Sequence, residues 1–108
     1  MARTPKRLHG PAQLTNVAAT KYTVPASTKT IVRHIRFFNG SASAVTVTLS
    51  IGADAAGTRI FDAFTLAARE QYDHYCYHVM EAAEIIQALA GTASAVTLTV
   101  NGDELTLG

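Results

Sequence analysis

Two short stretches of the chain alternate apolar and polar residues with a period of two, and they are near-copies of each other. In 45–51, Val45, Val47, Leu49 and Ile51 fall on one side and Thr46, Thr48 and Ser50 on the other. In 96–101, Val96, Leu98 and Val100 oppose Thr97, Thr99 and Asn101. Strict alternation with β-branched residues predicts a strand with one buried face. Small-residue turns lead in, GSAS at 40–43 and GTAS at 91–94, and the strands are expected to end at Gly52 and Gly102. A duplicated strand with a duplicated approach predicts two structurally similar halves.

Further strands are predicted at 18–24 (AATKYTV, closed by Pro25), 29–39 (KTIVRHIRFFN), 58–66 (TRIFDAFTL) and 71–79 (QYDHYCYHV). The segment 80–90, MEAAEIIQALA, consists mostly of good helix formers, and propensity alone favours one helix there. Its counterpart before the first repeat copy is strand-like, so 84–89 is predicted to be a strand following an Ala-rich turn. Seven or eight short strands separated by turn signals describe an all-β fold. The expected architecture is an antiparallel β-sandwich, jelly-roll-like, with two similar halves.

At 108 residues the chain is long enough for one domain around one core. Hydrophobic residues make up 48% and charged residues 16%, too apolar for a disordered chain and sparsely charged for an isolated surface. Nine Lys and Arg against eight Asp and Glu leave +1, which offers no whole-surface attraction to nucleic acid or anionic lipid. Three of those positive charges, Arg3, Lys6 and Arg7, crowd into the first seven residues, and without them the balance is six against eight. With Pro5, Gly10 and Pro11 nearby, residues 1–13 read as a basic arm outside a sandwich domain of 14–108, held by a neighbouring subunit. One cysteine, Cys76, excludes an internal disulfide framework and suits a reducing compartment. The N-terminus lacks the apolar run of a secretory signal, and no stretch is long and apolar enough to span a membrane.

The sharpest chemical candidate is HYCYH at 74–78. His74, Cys76 and His78 share one strand face and are all metal-ligand types. At about 3.3 Å rise per residue, however, positions i and i+4 lie about 13 Å apart along a strand. On that spacing one ion takes two neighbours of the set, with further ligands needed from His34, His9 or another subunit, so no metal is expected. The face is expected to lie at an interface instead. Tyr75 and Tyr77 point the other way, where rings pack and hydroxyls reach a partner. Arg33 and Arg36 beside Phe37 and Phe38 raise single-stranded nucleic acid, but an odd spacing puts the arginines on opposite faces and no phosphate loop is present. No G-x-S-x-G, P-loop or H-E-x-x-H pattern occurs, and an enzyme is not expected.

TVPASTKTIV (23–32), HIRFFN (34–39) and AVTVTLSIG (44–52) are followed by FTLAAREQ (64–71), VMEAAEII (79–86) and AVTLTVNGDEL (95–105). This plan resembles the small β-sandwich accessory proteins of tailed bacteriophage virions, across roughly residues 14–105. Where the family's turns carry Gly, this chain has Ser27 and Ala83. The resemblance implies a non-enzymatic, cofactor-free capsid decoration or minor tail protein. It would reside in the virion and bind major capsid or tail proteins. The outward threonines Thr46, Thr48, Thr97 and Thr99 suit close packing between copies, so a homo-oligomer, a trimer or ring, is expected. Arg3, Lys6, Arg7, Tyr75 and Tyr77 are the expected partner-binding residues. A competing expectation is a carbohydrate or cell-surface ligand-binding module that uses Tyr72, Tyr75 and Tyr77 as its platform.

Overall fold

The computed structural model describes residues 2–106 and contains eight strands and, among those residues, no helix. They are β1 (Ala2–Gln13), β2 (Ala19–Thr23), β3 (Thr28–Asn39), β4 (Val45–Ile51), β5 (Arg59–Leu66), β6 (Gln71–Met80), β7 (Ile85–Ala90) and β8 (Val96–Thr106). Two four-stranded antiparallel sheets are ordered β1-β8-β3-β6 and β2-β7-β4-β5. This is the jelly-roll form of the β-sandwich. The helix formers of 80–90 yield to tertiary pairing: β7 lies between β2 and β4, alternating half-buried and buried residues along its length.

The topology explains the repeat. Read backwards, the second sheet runs β5-β4-β7-β2, and each strand stands four places along the chain from its counterpart in β1-β8-β3-β6. The two copies, β4 and β8, therefore occupy the same interior position, one in each sheet. Val45, Val47 and Leu49 meet Val96, Leu98 and Val100 in a single core, completed by Val32, Ile35, Phe37, Leu66, Met80 and Ile86. Ser27 and Ala83 follow the same symmetry, both taking positive φ (54° and 71°) in the turns before β3 and β7. The glycine geometry of those turns is kept without glycine.

Two sequence expectations are corrected. Residues 2–13 are not a separate arm but the edge strand β1, paired with β8 of the same chain from Ala2↔Thr106 to Gln13↔Thr97. An edge strand needs ladder bonds on one side only and tolerates proline where the nitrogen faces away, so Pro5 and Pro11 do not exclude a strand. Leu8 anchors β1 in the core. Nor does Gly102 end β8. It lies mid-strand between Lys6 and Val32, in a crowded position where a Cβ would stand 2.2 Å from the Ile31 carbonyl oxygen.

The outward threonines are also less free than expected. Thr48 is buried, its hydroxyl accepting the Ala63 N–H at 3.0 Å where β5 bulges against β4, and Thr46, Thr97 and Thr99 are half-buried.

Candidate functional site

Two faces of β6 carry the candidate residues. β6 is the outer strand of its sheet, as β5 is of the other, and the turn at 67–70 joins them along one flank of the sandwich. The inward face carries Tyr72, His74, Cys76, His78 and Met80; the outward face carries Asp73, Tyr75, Tyr77 and Val79.

On the inward side, Tyr72 and His74 pack against the rings of β5. Phe61 meets Tyr72 and His74 edge-on, with centroids 6.0 and 5.1 Å apart, and Phe64 lies 4.9 Å from Tyr72. Tyr72 therefore belongs to the core margin and not to a platform with Tyr75 and Tyr77. Beyond His74, Cys76 and His78 are half-buried, and one ligand atom from each of the three residues lies within 4.8 Å of the others. This overturns the expectation that the three are too widely spaced to act together. That expectation used backbone rise alone. Here Cys76 and Tyr77 oppose the single residue Arg33, a bulge between the pairs Val32↔His78 and His34↔Tyr75, and a bulge bends and further twists its strand. The imidazoles of His74 and His78 converge over Cys76, stacked with centroids 6.1 Å apart.

The Cys76 thiol donates to the Val32 carbonyl at 3.4 Å, and burial pushes its pKa up. Burial, and secondarily the neighbouring His74, holds the His78 pKa below the ordinary imidazole value. His9 and His34 do not join this group. His9 sits on β1, at the opposite edge of the sheet, with Nδ1 3.0 Å from the Lys21 carbonyl. His34 faces outward, where it stacks on Tyr75 and meets Asp73 at 2.8 Å.

The outward face is a mixed aromatic and basic surface. Tyr75, Tyr77 and Val79 form a row that is 78%, 63% and 51% exposed. Arg33 and Arg36, expected on opposite faces, both point outward, because β3 bulges against β8 at Arg33 and the alternation shifts phase. Arg33 meets Asp103 at 3.1 Å and lies 5.4 Å from the centre of the Tyr77 ring; Arg36 bonds Gln71. Arg3 and Lys6 pair with Asp103 and Glu104 of their own β8, at 3.1 and 3.2 Å. The acids they neutralise are internal, not a neighbour's. Arg7 instead lines a shallow groove across the outer face with His34, Arg36, Phe38, Thr99 and Asn101. Among the described residues, no helix is long and apolar enough to cross a membrane.

No protein-family model matches the chain, and no curated protein is significantly similar in sequence. Among solved structures, the chain is similar to one from Bacillus endospore appendages, described as a novel family of disulfide-linked pili. The TM-score is 0.55 at 14% identity, covering 98% of this chain and 89% of that one. It is also similar to a chain in the structure of infectious bursal disease virus, Gx strain, with a TM-score of 0.56 at 9% identity. That match covers 99% of this chain but 33% of the viral one, so this chain spans a third of the viral chain's length. At these identities the shared property is the β-sandwich fold.

Proposed function

We propose that this chain is a structural subunit of an ordered assembly, acting by occupying repeated positions and not by transforming a molecule. The observation that carries the reading is the row Tyr75, Tyr77 and Val79, on the outward face of an edge strand. Large exposed side chains in a contiguous row beside unpaired backbone groups suit contact with another protein. Aromatic and arginine side chains, such as Tyr77 with Arg33 across it, are the types that most often carry interface energy. A sandwich fold found in a pilus and in a virus is compatible with this role.

The finer reading is an accessory protein of a tailed-phage virion, a capsid decoration or minor tail component bound to the major capsid or tail protein as a trimer or ring. Its support is the resemblance in the turns and strands of 14–105. Light scattering after size-exclusion chromatography tests the assembly reading. Self-association is expected, and Tyr75→Ser with Tyr77→Ser should shift it to the monomer with circular dichroism unchanged. A wild-type chain that stays monomeric at its highest soluble concentration, and that binds no particle when mixed with purified virions, would sink the proposal.

The outer-face groove favours a second reading, a carbohydrate or cell-surface ligand site. Arg7, Arg36, Thr99 and Asn101 supply hydrogen-bonding groups around the Phe38 ring. Glycan-array binding abolished by Arg36→Ala would move the assignment there.

A further inference from the structure

The inward cluster of β6 is not needed for assembly through the outward row, and its chemistry is specific. We infer that His74, Cys76 and His78 form a binding site for one divalent transition-metal ion of the zinc class, with the fourth coordination position open to water.

Imidazole nitrogen and cysteine thiolate are both zinc ligands, and three protein ligands with the fourth place left to water is the arrangement of catalytic zinc centres. The geometry is close to what such an ion requires. For three atoms no more than 4.8 Å apart, some point lies within 4.8/√3, about 2.8 Å, of each. Zinc bonds are about 2.0–2.1 Å to nitrogen and 2.3 Å to sulfur, so each ligand must close by less than about 1 Å, which small side-chain rotations supply. The donors are also uncommitted. Among the described residues neither the His74 nor the His78 imidazole makes a hydrogen bond, and the Cys76 thiol holds only its long contact to the Val32 carbonyl.

Half-burial in the flank beside Phe61 gives the cluster one dry wall and one wet one. The ion would be held from the protein side while its open position faces solvent. On binding, the Cys76 S–H bond breaks, a sulfur–metal bond forms, and the proton leaves to solvent. No other histidine is placed to compete, since His9 lies at the far edge of the sheet and His34 on its outer face. The ligands also belong to one strand of one chain, so the site does not depend on assembly.

Cobalt(II) titration of the full, reduced chain tests this directly, because tetrahedral cobalt with a thiolate ligand shows intense visible bands and a sulfur-to-metal charge-transfer band. One equivalent per chain, displaced by zinc, is the expected result. Cys76→Ser should abolish the charge-transfer band, and His74→Gln or His78→Gln should weaken binding by roughly tenfold or more, the loss that even indirect disturbance of a metal site produces. His9→Gln and His34→Gln should leave it unchanged. A wild-type spectrum of octahedral cobalt without charge transfer overturns the inference, whatever the variants do. So does one ion per two chains, or equal dependence on His9 or His34.

Discussion

The Tyr22 hydroxyl, on β2 of one sheet, donates to the Glu104 carboxylate on β8 of the other. The same hydroxyl lies 2.8 Å from Thr30 Oγ1 on β3, and Lys6 of β1 closes on Glu104 at 3.2 Å. Polar side chains from two strands of one sheet thus meet a single phenol from the facing sheet, and a third strand supports one of them through Lys6. At this end of the sandwich the two layers are tied by hydrogen bonds as well as by apolar packing.

That tie predicts loss of stability in alkali. Burial, and then the hydrogen bond to Glu104, raise the Tyr22 pKa from 10.0 to about 12. Above pH 10 the unfolded chain releases this proton while the folded chain keeps it. The contribution is therefore fully present below pH 10 and is lost as pH rises through about 12. Thermal melts across this window should fall more steeply for the wild type than for Tyr22→Phe. At neutral pH that variant should be less stable by about 1 kcal/mol, the usual worth of one such bond. Parallel pH curves for the two proteins would refute the role given to Tyr22.

Gly102 predicts a second, sharper effect. A Cβ there meets the Ile31 carbonyl oxygen at 2.2 Å and Leu8 Cδ1 at 3.0 Å, whereas one at Gly57 meets nothing within 4 Å. Backbone cannot swing aside as a side chain does, so Gly102→Ala should cost about 2–3 kcal/mol or prevent folding. Gly57→Ala should lie within about 0.5 kcal/mol of wild type. Urea denaturation of the pair decides whether close strand approach or turn geometry is the reason for Gly102.

These positions show what the sequence could and could not disclose. The strands β4 and β8 were legible because alternation is local, and Val45 and Val96 declare their faces without knowledge of any partner. Gly102 was misread as a turn because a glycine required by crowding and one required by a turn are the same letter. The cluster at His74, Cys76 and His78 was visible as residue types but not as a site. Its convergence accompanies a bulge against β3, set by the pairing of segments some forty residues apart. The phase shift at Arg33, which brings Arg36 to the same face, is likewise a product of pairing with β8. Pro5 and Pro11 suggested a free arm because proline's prohibition applies to central strands, and the sequence did not show that β1 would be an edge.

The edge strand carries its own prediction. Leu8 is buried and β1 covers the length of β8, so deleting 1–13 removes a core side chain and exposes a long backbone edge. The truncated chain should aggregate or lose its cooperative transition. Charge removal alone, as Arg3→Ala with Lys6→Ala, breaks two ion pairs whose cations are exposed and whose acids are largely buried. Asp103 keeps Arg33 and Glu104 keeps the Tyr22 hydroxyl, so neither acid is orphaned and the cost should stay near about 1–2 kcal/mol in total. A truncated chain that folds and melts like the full one would restore the reading of 1–13 as an arm outside the domain.

Asn39 closes the opposite end and can be tested without touching the hydrophobic core. It is fully buried at the end of β3. Its amide nitrogen donates to the carbonyls of Ser43, Ala67 and Leu66 at 2.8, 3.1 and 3.3 Å, and its oxygen accepts from the backbone and side chain of Ser41. One amide thereby stitches the turn before β4 to the turn after β5. Asn39→Asp keeps the acceptor but loses both donors and buries a charge; Asn39→Leu keeps the approximate volume but removes every bond the amide makes. Orphaned buried polar groups cost about 1–3 kcal/mol each, so both variants should lose at least about 2 kcal/mol in chemical denaturation. Asn39→Asp should recover part of its loss as pH falls and the carboxyl regains a proton to donate, whereas Asn39→Leu should not. Equal pH responses would mean that side-chain shape, not the donor groups of Asn39, holds these turns together.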